Sequence, residues 1–128
     1  MAQNEFSRLN VLVVEDQDMT REITVAILRA LGCASIRAAA DGKQALQQVL
    51  DEPPDLILCD IGMQPMDGFQ FVGELQKAGK RIPTIYLTAH STAEFVKHAR
   101  QLGVEAYIVK PVKRAVLEER IRHLMFAG

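Results

Sequence analysis

The stretch Leu56-Ile57-Leu58-Cys59-Asp60 decides the fold class, because a short apolar run there ends on a single carboxylate. Continuous apolar runs of this length suit strands that are buried on both faces of a parallel sheet. Three similar runs are Val11-Leu12-Val13-Val14, Ile85-Tyr86-Leu87 and Tyr107-Ile108-Val109. The stretch Ser35-Ile36-Arg37-Ala38 is more polar and indicates an edge strand. The sequence therefore predicts five strands.

Helical patterns lie between and after these runs, with apolar residues three or four positions apart. The first predicted helix is Thr20–Leu31, closed by Gly32, and the second is opened by Asp41 and Gln44. The third runs through Phe69, Val72 and Leu75 and ends near Gly79. The fourth begins at the Ser91–Glu94 capping box and ends at Gly103, and the fifth is Val112–Met125. The residues expected to face inward include Ile23, Ile27 and Leu31 in the first helix and Leu46, Val49 and Leu50 in the second. Alternating strands and helices predict a doubly wound α/β sheet with right-handed crossovers.

Length and composition limit the possible functions. The chain has 128 residues, of which 48% are hydrophobic and 24% charged, and this indicates one globular domain rather than a disordered segment. Its net charge of −1 provides no strong field for binding nucleic acid or an anionic membrane. The sequence shows neither a signal peptide nor an apolar run of transmembrane length, so we expect a cytoplasmic protein. We expect Cys33 and Cys59 to be reduced core thiols.

The side chains that carry chemistry follow the predicted strands. Glu15 and Asp16 follow the first strand, Asp60 the third, Thr88 the fourth and Lys110 the fifth. Ligands of doubly wound sheets bind outside these strand ends. Crowded carboxylates repel each other unless a cation intervenes, and an all-oxygen site with room for water suits Mg²⁺. A lysine ammonium and a threonine hydroxyl can both bind a phosphate. The set indicates metal-assisted phosphoryl transfer to a carboxylate.

Each of these residues also has an ordinary structural explanation. Asp and Thr after a strand often cap the next helix, and a Lys before Pro is often a solvated loop residue. Asp18 is predicted to have such a role, as the N-cap of the first helix. The occurrence of five such residues at the same edge of successive strands favours a functional site over coincidence.

These segments together resemble the response regulator receiver domains of two-component signalling. The matching segments are Val11–Asp16, Leu58–Met63, Met66–Gly68, Leu87–His90 and Gly103–Pro111. The resemblance extends from about Leu9 to about Leu124, so residues 1–128 are expected to form a single receiver domain with a core of about 9–124. It implies a flavodoxin-like fold with a five-stranded parallel sheet in the order 2-1-3-4-5.

The resemblance also implies the chemistry. Asp60 is expected to accept a phosphoryl group from the phosphohistidine of a sensor histidine kinase or a phosphotransfer protein. Asp16, Asp60 and the backbone carbonyl of Gly62 are expected to bind Mg²⁺, and Glu15 to act through a metal-bound water. Such a protein is a signalling domain rather than an enzyme, although it assists its own phosphorylation and dephosphorylation.

Further roles follow from the same resemblance. Thr88 and Lys110 are expected to contact the phosphoryl oxygens, and Thr88 and Tyr107 to form the switch. The Lys110–Pro111 peptide is expected to be cis. Gly62 and His90 are the residues best placed to tune hydrolysis of the acyl phosphate.

The expected output surface combines the fourth helix, the fifth strand and the fifth helix. It spans roughly Thr92–Leu102, Glu105–Tyr107 and Val112–Arg122. Because this surface carries both signs of charge, we expect a protein partner rather than direct contact with nucleic acid.

Three features depart from the usual receiver pattern. Pro65 stands one position later than the proline in the usual Met-Pro-x-Met-Asp-Gly stretch, and Gly62 has no side chain where relatives often carry a larger one. The pair Glu105-Ala106 also lacks the acidic pair typical of receivers that dimerise in front of a winged-helix DNA-binding domain. None of these departures removes a catalytic group.

Two alternative functions remain open from the sequence. Asp16-Gln17-Asp18-Met19-Thr20 matches the Asp-x-Asp-x-Thr signature of haloacid-dehalogenase-type phosphatases, in which Asp16 would be the nucleophile and Asp18 the general acid. That interpretation leaves Asp60 without a role and provides no further acidic motif after Lys110 outside the last helix. The second alternative is a receiver-like binding module that is not phosphorylated, which the complete set of acids, hydroxyl and lysine disfavours.

Overall fold

The computed structural model describes residues 5–89, 97, 100–101 and 106–126. A 3-10 turn (Glu5–Arg8) leads into five strands, which are β1 (Asn10–Val14), β2 (Ser35–Ala39), β3 (Leu56–Asp60), β4 (Thr84–Thr88) and β5 (Ala106–Val109). The described helices are α1 (Asp18–Leu31), α2 (Gly42–Asp51), α3 (Gly68–Lys77) and a C-terminal helix (Arg114–Ile121) followed by a π-helical turn (Arg122–Phe126). The predicted fourth helix falls mostly outside the described residues. Among the described helices, none has the length and apolar character needed to cross a membrane.

The five strands form one parallel sheet in the order β2-β1-β3-β4-β5, which confirms the predicted fold class and strand order. The sequence order reverses direction between β1 and β3, so the carboxyl ends of these central strands border the switch-point crevice. All residues of β3 and β4 are buried, as expected for strands covered on both faces.

Two hydrophobic layers cover the sheet, and successive strand residues point alternately into one or the other. Leu56 and Leu58 pack with residues of α1 and the C-terminal helix. Ile57 and Cys59 pack on the opposite face with residues of α2 and α3. Cys33 and Cys59 are free thiols, as predicted, but only Cys59 is buried in the core, whereas Cys33 is half-buried against it. This alternation explains why apolar runs without polar interruptions form the central strands.

Two predicted core positions are wrong. Ile23 is 46% exposed and Leu50 is 45% exposed. In α1 the buried stripe instead contains Thr24, Leu28 and Leu31. Thr24 tolerates burial because its hydroxyl donates a hydrogen bond to the carbonyl oxygen of Thr20 at 2.8 Å. A hydrophobicity pattern counts threonine as polar and therefore places the stripe one residue too early.

The helix ends agree with the sequence in some places and differ in others. Gly32 ends α1 in the left-handed conformation with φ of 94°, and the Asp41 side chain caps α2 by accepting from the Gln44 amide at 2.8 Å. The reciprocal half of that capping box is displaced, because the Gln44 side chain accepts from the Ala40 amide. The predicted last helix is divided, since α-helical geometry ends at Ile121.

Candidate functional site

The carboxyl edge of the sheet brings together the five residues singled out by sequence. Glu15 and Asp16 follow the last residue of β1, Asp60 and Thr88 are the last residues of β3 and β4, and Lys110 follows β5. Backbone hydrogen bonds continue the ladder past the strand ends. The Glu15 amide donates to Ala39 (3.0 Å) and the Lys110 amide to Thr88 (2.7 Å). These bonds extend the rigidity of the sheet to the side chains of the site.

Three carboxylates converge in this crevice. One oxygen from each of Glu15, Asp16 and Asp60 lies within 4.8 Å of the others. Glu15 is completely buried and Asp60 is 6% exposed, whereas Asp16 is open to solvent. The cluster is therefore anchored in the protein on one side and accessible from water on the other.

Lys110 supplies the counter-charge inside the crevice. Its Nζ lies 2.7 Å from Glu15 Oε1 and 3.1 Å from Asp60 Oδ1. One ammonium therefore contacts carboxyl groups at the ends of two different strands, β1 and β3, and offsets part of their charge. Because like charges this close repel each other, the ammonium offsets part of the repulsion between the two carboxyl groups in the absence of a metal.

The buried ion pairs change the acidities of both partners. Burial raises the pKa of Glu15 from 4.5 to about 7, and Asp60 adds to this rise while Lys110 opposes it. Burial by itself would lower the pKa of Lys110, but its contacts with Glu15 and Asp60 outweigh that effect and raise the pKa above 10.5. Lys110 therefore stays charged at neutral pH, and Glu15 is poised to exchange a proton.

The donor set fits a hard divalent cation. Apart from its ion pair with Lys110, the buried Oε1 of Glu15 has no hydrogen-bond donor among the described residues. Asp16 presents a solvent-exposed carboxylate beside it, which leaves room for a cation that keeps part of its water shell. Mg²⁺ prefers oxygen ligands and binds to few protein groups at a time. These residues therefore fit a hard divalent cation such as Mg²⁺.

The loop between β3 and α3 is held close to Asp60. The Gly68 amide donates to the Ile61 carbonyl at 3.1 Å, and a side chain at Gly68 would lie 2.6 Å from the Asp60 carbonyl oxygen. The Gln64–Pro65 peptide is cis, as is Lys110–Pro111. Gly62 is exposed, and a Cβ there would meet nothing within 4 Å. The loop is therefore tightly packed at Gly68, where α3 begins, and open to solvent at Gly62.

Two features near the site, a capping box and an arginine contact, were not identified by the sequence analysis. Asp67 and Gln70 form a full capping box at the start of α3, and the Asp-x-x-Gln spacing was the available signal. Arg21 donates to the Glu15 carbonyl oxygen at 2.9 Å and also pairs with Asp18 at 2.5 Å. No sequence signal distinguishes Arg21 from a surface arginine.

The predicted cap at Asp18 is wrong. Gln17 occupies the N-cap position of α1 without a side-chain cap bond, and Asp18 is the first helical residue. Asp18 lies on the exposed first turn, where its charge suits the positive end of the helix dipole and pairs with Arg21. The helix begins at Asp18, two residues before the predicted start at Thr20. An apolar periodicity cannot mark this start, because the first-turn residue Asp18 is polar and exposed.

The two proposed switch residues lie on the adjacent strands β4 and β5. Thr88 is buried with 3% exposure, and Tyr107 is half-buried near the edge of the sheet. His90, Glu105 and most of the predicted fourth helix lie outside the described residues, whereas Val112–Arg122 lies within them. The structure therefore describes the β5 and C-terminal parts of the expected output surface.

Comparison with known proteins identifies related chains. A family model described as "Response regulator receiver domain" matches residues 11–122. The transcriptional regulatory protein ZraR of Escherichia coli K12 is 34% identical over 119 residues, which cover 90% of this chain and 27% of ZraR. The Regulator of RpoS from the same strain is 32% identical over 117 residues, covering 91% of this chain and 34% of that protein. This chain thus spans about a third or less of the length of these relatives.

Solved structures show the same architecture. The chemotaxis protein CheY4 of Vibrio cholerae superposes with a TM-score of 0.85 at 27% identity, covering 92% of this chain and 99% of CheY4. A chain from the CheX-CheY complex of Borrelia burgdorferi with BeF3 and Mg²⁺ superposes with a TM-score of 0.83 at 29% identity, covering 90% and 87% of the two chains. The likeness therefore extends over nearly the whole sheet and its helices.

Proposed function

Because this chain belongs to the response regulator receiver domains of two-component signalling, we propose that it is a switch controlled by phosphorylation of Asp60. Receiver domains are signalling domains rather than enzymes in the usual sense, and they carry an acidic pocket typically used with Mg²⁺. The observation that supports Asp60 as the acceptor is its position, buried at the end of β3 and 3.1 Å from the Lys110 ammonium. A carboxylate held beside a fixed cation is suited to nucleophilic attack on an anionic phosphoryl group.

In the proposed reaction, a carboxylate oxygen of Asp60 attacks the phosphorus of a phosphohistidine. A P–O bond forms as the P–N bond breaks, and the electron pair of the P–N bond leaves with the imidazole nitrogen. Hydrolysis ends the phosphorylated state: water attacks the acyl phosphate, inorganic phosphate is released, and the Asp60 carboxylate is regenerated. The domain assists both reactions by holding Asp60 and the surrounding charges in place.

Asp16, Asp60 and the backbone carbonyl of Gly62 are the proposed protein ligands of Mg²⁺, with Glu15 acting through a water molecule. When bound, Mg²⁺ neutralises charge on the transferring phosphoryl group. The exposed position of Asp16 supports its role as the ligand nearest to solvent. The buried position of Glu15 supports a more distant role, because its Oε1 is already paired with Lys110.

Lys110 and Thr88 are the proposed contacts to the phosphoryl oxygens. Lys110 is already within 3.1 Å of Asp60 Oδ1, so its ammonium needs little movement to reach a phosphoryl group there. Thr88 would reach the same group by moving its hydroxyl towards Asp60. The space it leaves would admit the ring of Tyr107, whose apolar body and polar tip suit both exposed and buried positions. The expected downstream partner is a protein that distinguishes these two states.

The phosphoryl donor is proposed to be a sensor histidine kinase or a histidine phosphotransfer protein. Next to the carboxylate cluster, the first turns of α1 present two exposed apolar side chains, Met19 (75% exposed) and Ile23 (46%). An apolar contact beside a charged crevice allows the donor to dock without obstructing Asp60.

The phosphatase alternative is not favoured. It assigns the general-acid role to Asp18, but that carboxylate is exposed on the first turn of α1 and pairs with Arg21. It also gives no role to Asp60, which lies within the carboxylate cluster. The family match over residues 11–122 supports the receiver instead.

Labelling with acetyl phosphate in Mg²⁺ tests the proposed function. We expect one phosphoryl group to be retained on the parent protein and none on the Asp60→Asn variant, as measured by intact mass. Continuous release of phosphate that persists in Asp60→Asn but stops in Asp16→Asn would indicate a phosphatase. Absence of both labelling and turnover would indicate a binding module that is not phosphorylated.

A further inference from the structure

Three aromatic residues belong to the hydrophobic layer on one face of the sheet. Tyr86 in the middle of β4 is 2% exposed and is the largest buried side chain among the described residues. Its ring lies 5.0 Å from the ring of Phe69, in the first turn of α3, with an interplanar angle of 47°. Tyr107 of β5 is the direct strand partner of Tyr86. All three residues belong to the hydrophobic layer that contains α2 and α3.

Tyr86 is also a neighbour of Thr88. Residues two apart in a strand point to the same face, so the side chains of Tyr86 and Thr88 are adjacent along β4. Parallel strands lie about 4.8 Å apart, so Tyr86 and its partner Tyr107 occupy neighbouring positions on the same face of the sheet. Tyr86 is therefore the neighbour of both Thr88 and Tyr107 in the sheet, and we refer to its ring as the aromatic floor of these two positions.

The size and surroundings of Tyr86 make this floor rigid. Burial raises the pKa of its phenol above the usual range, as expected for a ring enclosed by apolar side chains. An aromatic pair with a tilted ring contact has a preferred mutual orientation that an aliphatic residue lacks. Phe69 contacts one side of the Tyr86 ring. Phe69 directly follows Gly68, whose amide donates a hydrogen bond to the carbonyl oxygen of Ile61, the residue after Asp60.

From this arrangement we propose that Tyr86 is a positioning residue for the switch. Through its contact with Phe69, Tyr86 couples the orientation of Tyr107 to the first turn of α3. The inference rests on the proposed role of Tyr107 as the switch aromatic. In the unphosphorylated protein the Tyr86 ring limits how far the ring of Tyr107 can turn inward towards Thr88. After Thr88 moves, the same ring supports Tyr107 in its inward position. Loss of the aromatic floor leaves Tyr107 without a defined inward position.

The composition of the chain provides a direct measurement. The protein has two tyrosines and no tryptophan, so replacing Tyr86 leaves Tyr107 as its single tyrosine. Tyr86→Phe and Tyr86→Leu are therefore matched single-tyrosine proteins, one of which keeps the ring. Tyrosine fluorescence of each is recorded before and after addition of beryllofluoride and Mg²⁺. Binding of beryllofluoride is measured by calorimetry on the same samples, with Asp60→Asn as the non-binding reference.

We expect Tyr86→Phe to show a fluorescence change and Tyr86→Leu to lose most of it. Beryllofluoride affinity is expected to agree within about threefold between the two, a difference well below 1.4 kcal/mol. An equal fluorescence change in both variants overturns the proposal. Absence of any change in Tyr86→Phe despite binding overturns the role of Tyr107 and this inference with it. Absence of beryllofluoride binding in every variant contradicts the proposed function itself.

A second pair keeps the proposal testable if Tyr86→Leu does not fold. Phe69→Leu combined with Tyr86→Phe removes the ring that supports position 86 while keeping an aromatic floor. Phe69 is only half-buried, so this change disturbs the core less than a change at Tyr86. We expect a reduced fluorescence change relative to Tyr86→Phe alone, and an undiminished change would overturn the coupling to α3.

Discussion

The ammonium of Lys110 lies 2.7 Å from Oε1 of Glu15, a carboxylate that is completely buried. The same ammonium reaches Asp60 at 3.1 Å, so the lysine links the proposed phosphoacceptor to the innermost acid of the cluster. Breaking a buried ion pair by removing one partner costs about 3–5 kcal/mol, because it leaves an uncompensated charge. This lysine is therefore expected to maintain the metal-free site as well as to bind the phosphoryl group.

The exposed acid of the cluster is the first target for substitution. Asp16→Asn should reduce Mg²⁺-dependent labelling by acetyl phosphate by about tenfold or more, equivalent to at least about 1.4 kcal/mol in the barrier. The fold should persist, and relief of repulsion should leave the metal-free protein equally or more stable, because the Asp16 side chain lies at the surface. Asp18→Asn is the matched control. Equal labelling of Asp16→Asn and the parent would contradict the assignment.

The raised pKa of Glu15 predicts a pH dependence of stability in the metal-free protein. Its pKa is about 7 in the folded protein and 4.5 for an ordinary glutamate, so the folded state holds this proton more tightly. The resulting stabilisation is fully present below about pH 4.5 and is lost as pH rises through about 7. Glu15→Gln should lack this loss, so its stability relative to the parent should rise across that window.

Urea unfolding of both proteins between pH 4.5 and 8 in a chelator measures this difference. We expect the free energy of unfolding of Glu15→Gln relative to the parent to increase with pH by about 1–3 kcal/mol, since one pKa unit corresponds to about 1.4 kcal/mol. A difference that is independent of pH would show that Glu15 titrates normally in the folded protein.

The open backbone at Gly62 predicts an effect on hydrolysis of the acyl phosphate. A side chain at this position meets nothing within 4 Å, so Gly62→Met should fold normally and hinder the approach of water. The lifetime of phosphorylated Asp60 should lengthen by up to about tenfold, corresponding to about 1.4 kcal/mol in the barrier. Gly73→Met, on α3 and equally free of close contacts, is the control. An unchanged or shorter lifetime would assign control to another position.

The close approach at Gly68 predicts that even a methyl group is harmful there. A Cβ at this position would lie 2.6 Å from the carbonyl oxygen of Asp60, which is backbone and cannot move aside. The overpacking penalty of about 1–3 kcal/mol exceeds the gain of up to about 1 kcal/mol that alanine brings to a helix. Gly68→Ala should therefore lower the free energy of unfolding and slow labelling, whereas Gly62→Ala should change stability little. Equal stability of the two variants would refute the steric argument.

The proposed output surface predicts how far the effect of phosphorylation spreads. Backbone chemical shifts should change on addition of beryllofluoride and Mg²⁺, both around Asp60 and at Tyr107, extending to Lys97 and Arg100 and to the start of the C-terminal helix. Asp60→Asn should show no such changes. Changes confined to the Asp60 pocket would place the signalling surface elsewhere.

Much of the fold was predictable because its signals are local. Uninterrupted apolar runs marked the buried strands, and glycine or a capping side chain marked helix ends at Gly32 and Asp41. Even so, the pattern misplaced the buried stripe of α1, because the intrahelical bond of Thr24 makes a polar residue suitable for the core. The start of α1 was likewise missed because polar residues in its first turn carry no apolar periodicity.

The carboxylate cluster could be predicted because parallel strands carry their final residues to one edge of the sheet. Asp60, Asp16 and Lys110 were identified from their positions after apolar runs together with the known chemistry of such groups. The partners of each charge were not predictable. The sequence predicts that Lys110 contacts a phosphoryl group but gives no sign that its ammonium also pairs with Glu15 and Asp60. Only the packed sheet determines which oxygens lie within 3.1 Å of it.

The amino-acid sequence by itself determined the strand and helix order, the edge of the sheet that carries the site, and the residue types available there. The tertiary structure decided which side chains are buried and what they contact. It packed Tyr86 against Phe69, made Tyr107 its strand partner, and brought Gly68 against the backbone of Asp60. The physical reason is that periodicity is a property of neighbouring residues, whereas register, close packing and ion pairing depend on segments far apart in the chain.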